Sequence, residues 1–522
     1  MEEASTLDNP VGTEKRQRGG RRLRGGDTAP TRQPDYRNLR NTFAPQPVFS
    51  ADQVGAIHDT ALRILEDLGL KVLLPQARDI FRAAGCLVDD DTMMVRIGRD
   101  AVAAALSSAP KSIVARAGIR ERDIVLEHGA LAFVAGCGCP NVTDLDRGRR
   151  TGTFADFEEL TRLVQHFDVL HMHGPHVEPQ DVDLRFRHYA TLRAQLTLSD
   201  KLPFIFARGT PQVEDSFEMM RIARGLGEDE FRAGVHCYAI INTNSPRLLD
   251  IPMAQGIIDF AKAGQLTVIT PFCLAGAMAP ITVAGALVLQ HAEALAGITL
   301  AQLTRPGAPV VYGSFSSNVD MKSGAPAFGT PEHAKATLGA GQLARYLGLP
   351  WRAGGGSAAN IADAQAANET QFALWGAVLA GATMLVHSAG WLEGGLSLSY
   401  EKLITDIEVL QMMAELFSTT PGDADAIAFE AIREIQPGGH FFAAEHTMAR
   451  YRTAFYEPFV ADWSNFGNWT AAGGKDATRR ANAVWKGVLE QAAAPAWAAE
   501  LAPALDEFIE RRKAEGGASP VS

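Results

Sequence analysis

Cysteine is scarce, with five in 522 residues. That is too few for a disulfide framework and points to a reducing cytoplasm. Positive charge is also short: 49 Lys and Arg face 60 Asp and Glu, for a formal net charge of −11. Nucleic acid and anionic membranes are therefore poor partners. No apolar run reads as long enough to span a bilayer, and no membrane association is expected. No secretory leader is visible; the start is polar and acidic, then basic. Neither a Walker loop nor a Gly-x-Ser-x-Gly elbow occurs, so P-loop and serine-hydrolase chemistry have little support. No internal repeat is present.

What is there is a globular composition, 46% hydrophobic and 21% charged. Residues 1–45 stand apart, rich in Gly, Arg, Pro and Thr around Arg16-Gln-Arg-Gly-Gly-Arg-Arg-Leu-Arg-Gly-Gly26. Such a segment cannot bury enough apolar surface to fold alone and is expected as a disordered basic tail. Residues 46–150 read as a small α+β subdomain. Ser50-Ala-Asp-Gln53 caps a helix, short helices follow at 75–85 and 98–108, and three strand-like runs end near Ala135.

From about residue 151 helices and strands alternate. Strands are expected at 168–173, 203–207, 234–241, 266–270, 309–313, 350–353, 384–388 and 440–444, with helices between them. Eight strands alternating with helices point to an α/β fold, a (β/α)8 barrel over 151–470. An open doubly wound sheet is the alternative, but no GxGxxG follows the first strand. Residues 471–522 form a helical extension with an Ala- and Glu-rich helix at 475–515.

In a barrel the chemistry sits at the carboxyl ends of the strands. That rule nominates His171, His173, His236, Asn242, Arg352 and His387, with Phe315, Phe328, Trp391 and Tyr400 as aromatic faces. His171-x-His173 puts two imidazoles on one face of a strand, which suits a metal ion, a substrate or simple core packing. The strand Leu266-Thr-Val-Ile-Thr-Pro271 carries no lysine or histidine to complete a metal site, so no metal is assigned. Cys137-Gly-Cys139 reads as buried inert thiols.

The stretch Pro350-Trp-Arg-Ala-Gly-Gly-Gly356-Ser-Ala-Ala-Asn-Ile-Ala-Asp-Ala-Gln-Ala-Ala-Asn-Glu369 carries the most information. A strand runs into three glycines and a polar loop, then a helix opened by Asp363. It resembles the pyrrolysine-site segment of trimethylamine methyltransferases, with Ala353, Gly354, Ser357, Asp363, Gln365, Ala366 and Glu369 matching and Gly356 at the pyrrolysine position. The resemblance extends from about residue 45 to the carboxyl end. It includes His291-Ala-Glu293-Ala-Leu-Ala-Gly297, Val311-Tyr-Gly-Ser314, Gly390-Trp-Leu-Glu-Gly-Gly-Leu-Ser-Leu-Ser-Tyr400 and Ala471-Ala-Gly-Gly-Lys475-Asp.

This resemblance implies methyl transfer from a methylated amine to cob(I)alamin on a separate corrinoid protein. No Asp-x-His-x-x-Gly motif is present, so cobalamin is expected on that partner and not permanently bound here. Gly356 has no side chain with which to form an adduct, which implies a quaternary amine donor, glycine betaine or an analogue. Gly356 and Glu369 are the expected catalytic positions. His171, His236, Asn242, Phe315, Arg352, His387, Trp391 and Tyr400 are the expected substrate contacts; Arg352 could clamp a carboxylate or pair with Glu369 or Asp363. A homo-oligomer is expected from the resemblance. A metal-dependent hydrolase built on His171 and His173, and a non-catalytic betaine- or corrinoid-protein-binding module, are the competing functions.

Overall fold

Short runs rich in Val, Ile and aromatic residues form the strands, because branched side chains pack well on a pleated surface. The computed structural model describes residues 35–493 and 495–521. Its main sheet has seven strands: β1 (Leu39–Arg40), β2 (Ala130–Phe133), β3 (Tyr238–Ile241), β4 (Leu266–Ile269), β5 (Val310–Gly313), β6 (Trp351–Gly354) and β7 (Met384–Val386). They lie in the order β1-β2-β7-β6-β5-β4-β3. β1 is antiparallel to β2, and every other pairing is parallel. Single parallel bridges join Val134 to Met172, Met172 to Leu202, and Phe204 to Tyr238. The architecture is mixed α/β.

Helices connect the parallel strands, as parallel pairing requires. They are α1 (Phe154–His166), α2 (Arg187–Leu198), α3 (Thr210–Arg224), α4 (Ile251–Ala263), α5 (Val283–Thr304), α6 (Pro331–Leu347), α7 (Ala364–Leu379) and α8 (Tyr400–Leu416). Their ends follow local chemistry. The hydroxyl of Thr330 accepts from His333 N at 3.2 Å to open α6. The Asp363 carboxylate accepts from Gln365 N at 2.9 Å to open α7.

Two buried clusters flank the sheet. The larger lies between strands and helices and includes Phe157, Ile257, Leu295, Trp351 and Leu374. The smaller holds Val134, Met172, Phe204, Tyr238, Val268, Val311 and Val386 with Ile113, Ala115, Ile124 and Leu126. The last four come from an antiparallel hairpin, Ile113–Ala115 with Ile124–Leu126. Ala115 bridges to Val235, ahead of β3, so the hairpin sits at the amino ends of the strands.

Several expectations need correction. The runs at 168–173 and 203–207 shrink to single bridges, because Pro175 and Pro203 supply no N–H to extend a ladder. No strand forms at 440–444; Phe441 and Phe442 are 43% and 80% exposed with no partner strand. The last of the three strands expected within the 46–150 subdomain is β2, and it pairs with β7 of the main sheet, so a boundary at 150 separates sheet neighbours. The expected helix at 475–515 is two, α9 (Ala477–Gln491) and α10 (Ala498–Ala514). Of the expected tail, residues 1–34 lie outside the described residues, and Leu39–Arg40 is a strand. α5, with 22 residues, is apolar enough to cross a bilayer by composition, contrary to expectation, but 78% of its most apolar window is buried inside the molecule.

α5 also fixes the loop after β3. Buried Glu293 accepts from Thr243 Oγ1 at 2.6 Å, Ser245 Oγ at 2.7 Å and Arg247 N at 2.8 Å. Arg247 N can only donate, and the two hydroxyls, which can also accept, lose a charged acceptor when an amide stands here. Glu293→Gln is expected to cost about 1–3 kcal/mol, measured as a shift in the urea midpoint. An unchanged midpoint contradicts this.

Candidate active site

Three neighbouring strands, β5, β6 and β7, deliver one cluster of side chains at their carboxyl ends. Side chains alternate along β6. Trp351 turns toward the helices, where its Nε1 donates to Gly381 O at 2.8 Å. Arg352 and Gly354 share the opposite face. β5 runs on into Ser314 and Phe315, β6 into Gly355, Gly356 and Ser357, and β7 into His387 and the turn to Trp391.

The rings pack on one another. His387 stacks on Trp391 at 4.5 Å and 24°. Phe315 stacks on Phe328 at 5.1 Å and 14°, and Phe328 meets Trp391 edge-on at 5.1 Å. Phe272 and His333 join at 5.4 Å from Phe315 and Phe328 respectively. This assembly requires the glycines. A Cβ at Gly354 would overlap the Phe315 ring, and one at Gly356 the Trp391 indole. Gly356 also has φ +108°, outside the range of ordinary side chains. The space a side chain at position 356 would take is thus filled by Trp391.

Two devices hold the loops. Glu369 Oε2 accepts from Ser357 Oγ at 2.6 Å, Ala358 N at 2.8 Å and Ala359 N at 3.1 Å, while Gln365 donates to Oε1 at 2.7 Å. Glu369, expected as catalytic, is committed to fixing the glycine loop. The second device is the buried pair Lys402–Asp406, in which Asp406 also accepts from Gly390 N at 2.8 Å. This pair holds the turn in which His387 takes the left-handed φ of +58°.

Arg352 lies inside the cluster at 1% exposure. Its guanidinium stands 4.7 Å from the Phe315 ring centre, and Nη1 donates to Ser314 O at 3.2 Å. Its Nε has no partner. Neither Glu369 nor Asp363 pairs with it, and among the described residues no carboxylate does. Burial pushes its pKa down to about 10, so it remains charged near neutrality. Its nearest ionisable neighbours do not balance that charge. Burial pushes the Cys137 thiol up to about 12 and the Tyr238 phenol well above its ordinary value.

Other expected site residues lie elsewhere. His171 accepts from Phe133 N at 3.1 Å and donates to Arg37 O at 3.0 Å. His173 uses its nitrogens on His176 Nε2 at 3.2 Å and Ser199 Oγ at 2.5 Å. Met172, between them, packs in the smaller cluster, so both imidazoles point away from it. This overturns a metal site built on the pair. Among the described residues no group of three or more His, Cys, Asp or Glu is placed to hold a metal ion. His236 stacks on Phe231 ahead of β3, at the wrong end of the strand. Asn242 follows β3 at the correct end but is exposed. Tyr400 donates to Glu159 at 2.6 Å and Asp156 at 3.0 Å, away from the cluster. Its neighbours there are α1 and α9, so it is not a substrate contact.

Phe272, His333 and the Lys402–Asp406 pair escaped sequence reasoning. The i,i+4 spacing of Lys402 and Asp406 marks a helical ion pair, but nothing in the sequence reveals that it holds Gly390.

Comparison with known proteins adds a second line. Residues 16–517 match the family described as Trimethylamine methyltransferase (MTTB). A glycine betaine methyltransferase of Desulfitobacterium hafniense (strain Y51) is 35% identical over 472 residues, covering 90% of this chain and 98% of that protein. Trimethylamine methyltransferase MttB of Desulfitobacterium hafniense (strain DSM 10664 / DCB-2) is 31% identical over 471 residues, covering 90% and 94%. Among solved structures, the monomethylamine methyltransferase MtmB of Methanosarcina barkeri has a TM-score of 0.44 at 9% identity, covering 87% and 92%.

Gly356→Ala is expected to lower unfolding free energy by about 2–5 kcal/mol, combining overlap with Trp391 and an unfavourable φ. Denaturation followed by tryptophan fluorescence measures it, and an unaltered curve removes the close contact. Acid sensitivity follows from histidine burial. Burial pushes His171, His176, His236 and His333 down to about 4, and His387 well below its ordinary value. Folded values below unfolded ones mean that unfolding takes up protons. Stability is therefore complete above about pH 6.5 and declines toward pH 4, by up to about 1.4 kcal/mol per pH unit for each histidine. Urea midpoints that stay level from pH 7 to 5 would contradict this.

Proposed function

The chain belongs to the trimethylamine methyltransferase family, and on that footing we propose that it transfers a methyl group from a quaternary ammonium donor to cob(I)alamin carried by a partner corrinoid protein. The observation that carries this reading is position 356. Glycine stands there, under the Trp391 indole, with no side chain to form an adduct with an amine. A tertiary amine is a poor methyl donor, because its leaving group is a bad one. A quaternary nitrogen already carries positive charge and departs as a neutral tertiary amine, keeping the electron pair of the broken C–N bond. Such a donor needs no covalent help from the protein.

The remaining work is positioning. Cob(I)alamin supplies the nucleophile. The protein supplies aromatic faces that attract the cation. Phe315 already lends a face to Arg352, which leaves Phe328 and Trp391 for the donor's ammonium. The three glycines keep backbone bulk low beside those rings.

The same proposal takes the parallel strands and the three bridges as one (β/α)8 ring, with the cluster at the mouth and the Ile113–Leu126 hairpin across the opposite end. A homo-oligomer is part of it too. Phe442, Phe455, Trp463 and Phe466 are 80%, 85%, 71% and 79% exposed, an amount of ring surface that favours burial against another chain. Five free, buried cysteines support a reducing, cytoplasmic setting.

The test is a donor panel. The protein is mixed with cob(I)alamin and glycine betaine, carnitine, choline or trimethylamine, and the corrinoid spectrum is followed. Methylcobalamin is expected with at least one quaternary donor and not with trimethylamine. Activity confined to the tertiary amine, or none at all, refutes the reading.

A further inference from the structure

Arg352 presents a physical problem that the fold does not solve. Its guanidinium is fully buried, charged near neutrality, and has no carboxylate beside it among the described residues. One nitrogen, Nε, has no hydrogen-bond partner. Buried charges are normally paired, because an uncompensated one is strongly destabilising. Natural proteins retain such a group where a ligand completes it. On the segments that follow the flanking strands β5 and β7, Ser316 Oγ and His387 Nδ1 are also buried without partners. Both follow strand ends adjoining Arg352, and His387 feels its charge. Three unsatisfied polar atoms thus lie on β6 and on the segments that follow its two neighbours, and only one of their side chains is a cation.

The competing basic groups drop out on placement or on charge. His171 is hydrogen-bonded at both nitrogens, and His236 lies at the other end of its strand. His387 and His333 are neutral at pH 7, since burial lowers both, His333 to about 4.

We propose that Arg352 is the specificity-determining residue for the donor, binding an anionic group on it, so that the preferred substrates are zwitterions carrying a carboxylate close to the quaternary nitrogen. This rests on the methyl-transfer reading and narrows it. The planar fork of the guanidinium suits a carboxylate, with Nε as one of two parallel donors. The ammonium end then lies toward Phe328 and Trp391. A cationic alcohol such as choline brings a second positive charge near Arg352 and nothing to neutralise it.

Two measurements test this. First, the unaltered protein is titrated calorimetrically with glycine betaine and with choline, without corrinoid, and both are assayed for methylcobalamin formation. Glycine betaine is expected to be favoured at least 30-fold in binding and in kcat/KM. Second, Arg352→Gln and Arg352→Met are compared with the parent. Glycine betaine affinity is expected to fall roughly 30- to 5000-fold, the range seen when one member of a buried charged pair is removed. Thermal stability of Arg352→Met without ligand is expected to match or exceed that of the parent, because a buried lone charge is gone.

Choline bound or turned over within tenfold of glycine betaine overturns the assignment. So does an Arg352→Gln protein that keeps its glycine betaine affinity. A lower melting temperature for Arg352→Met with an unchanged betaine-to-choline ratio identifies a structural arginine instead. If glycine betaine binds through Arg352 but no methylcobalamin forms, the methyl-transfer reading fails while this assignment stands.

Discussion

The contact between the Trp391 indole and the backbone of Gly356 sets the shape of everything around it. Any Cβ at that position would occupy the same space as the ring. Trp391 in turn stacks on His387, which is held at a positive φ by the turn that Asp406 fastens through Gly390 N. Glu369 fastens the other side of the contact by gathering Ser357, Ala358 and Ala359. Two carboxylates, one on α7 and one on α8, therefore press two loops together. Neither is free to act as a base. Their work is electrostatic fixation of backbone N–H groups, which lets rings and glycines meet at van der Waals distance.

Within that packed frame the unusual feature is charge without compensation. Other buried ions are compensated, and even Lys201, which has no carboxylate in contact, donates to the carbonyls of Val164 and Phe167. Lys402 has Asp406 and Thr370, and Asp144 has Arg147 and Arg150. Arg352 stands apart with a ring face and one carbonyl. Cation–π contact and a single hydrogen bond recover only part of the hydration that a guanidinium loses on burial. The arginine is best understood as half of an interaction.

Much of the frame was legible from local rules. Thr330 and Asp363 announce helix starts, and alternation of apolar strands with amphipathic helices announces parallel pairing. The errors share a cause. Strand extent depends on what neighbours can pair, so the runs expected around Met172 and Phe204 hold only as single bridges. The run Ala130–Phe133 reads the same whether it ends a subdomain or enters the main sheet; only its partner, β7, distinguishes the two. Tyr400 and His171 carry the right chemistry for a site. Their surroundings use it up, Tyr400 in an ion network with Asp156 and Glu159 and His171 against backbone groups.

The amino-acid sequence on its own determined the class of chain, the places where helices begin, and the decisive substitution at position 356, because these depend on residue identity and nearest neighbours. Tertiary structure alone decided that Trp391 fills the space above Gly356, that Glu369 is a fastener, and that Arg352 has no partner. Those are statements about distance between residues far apart in the chain. Burial and pairing arise only once the strands that carry them lie side by side.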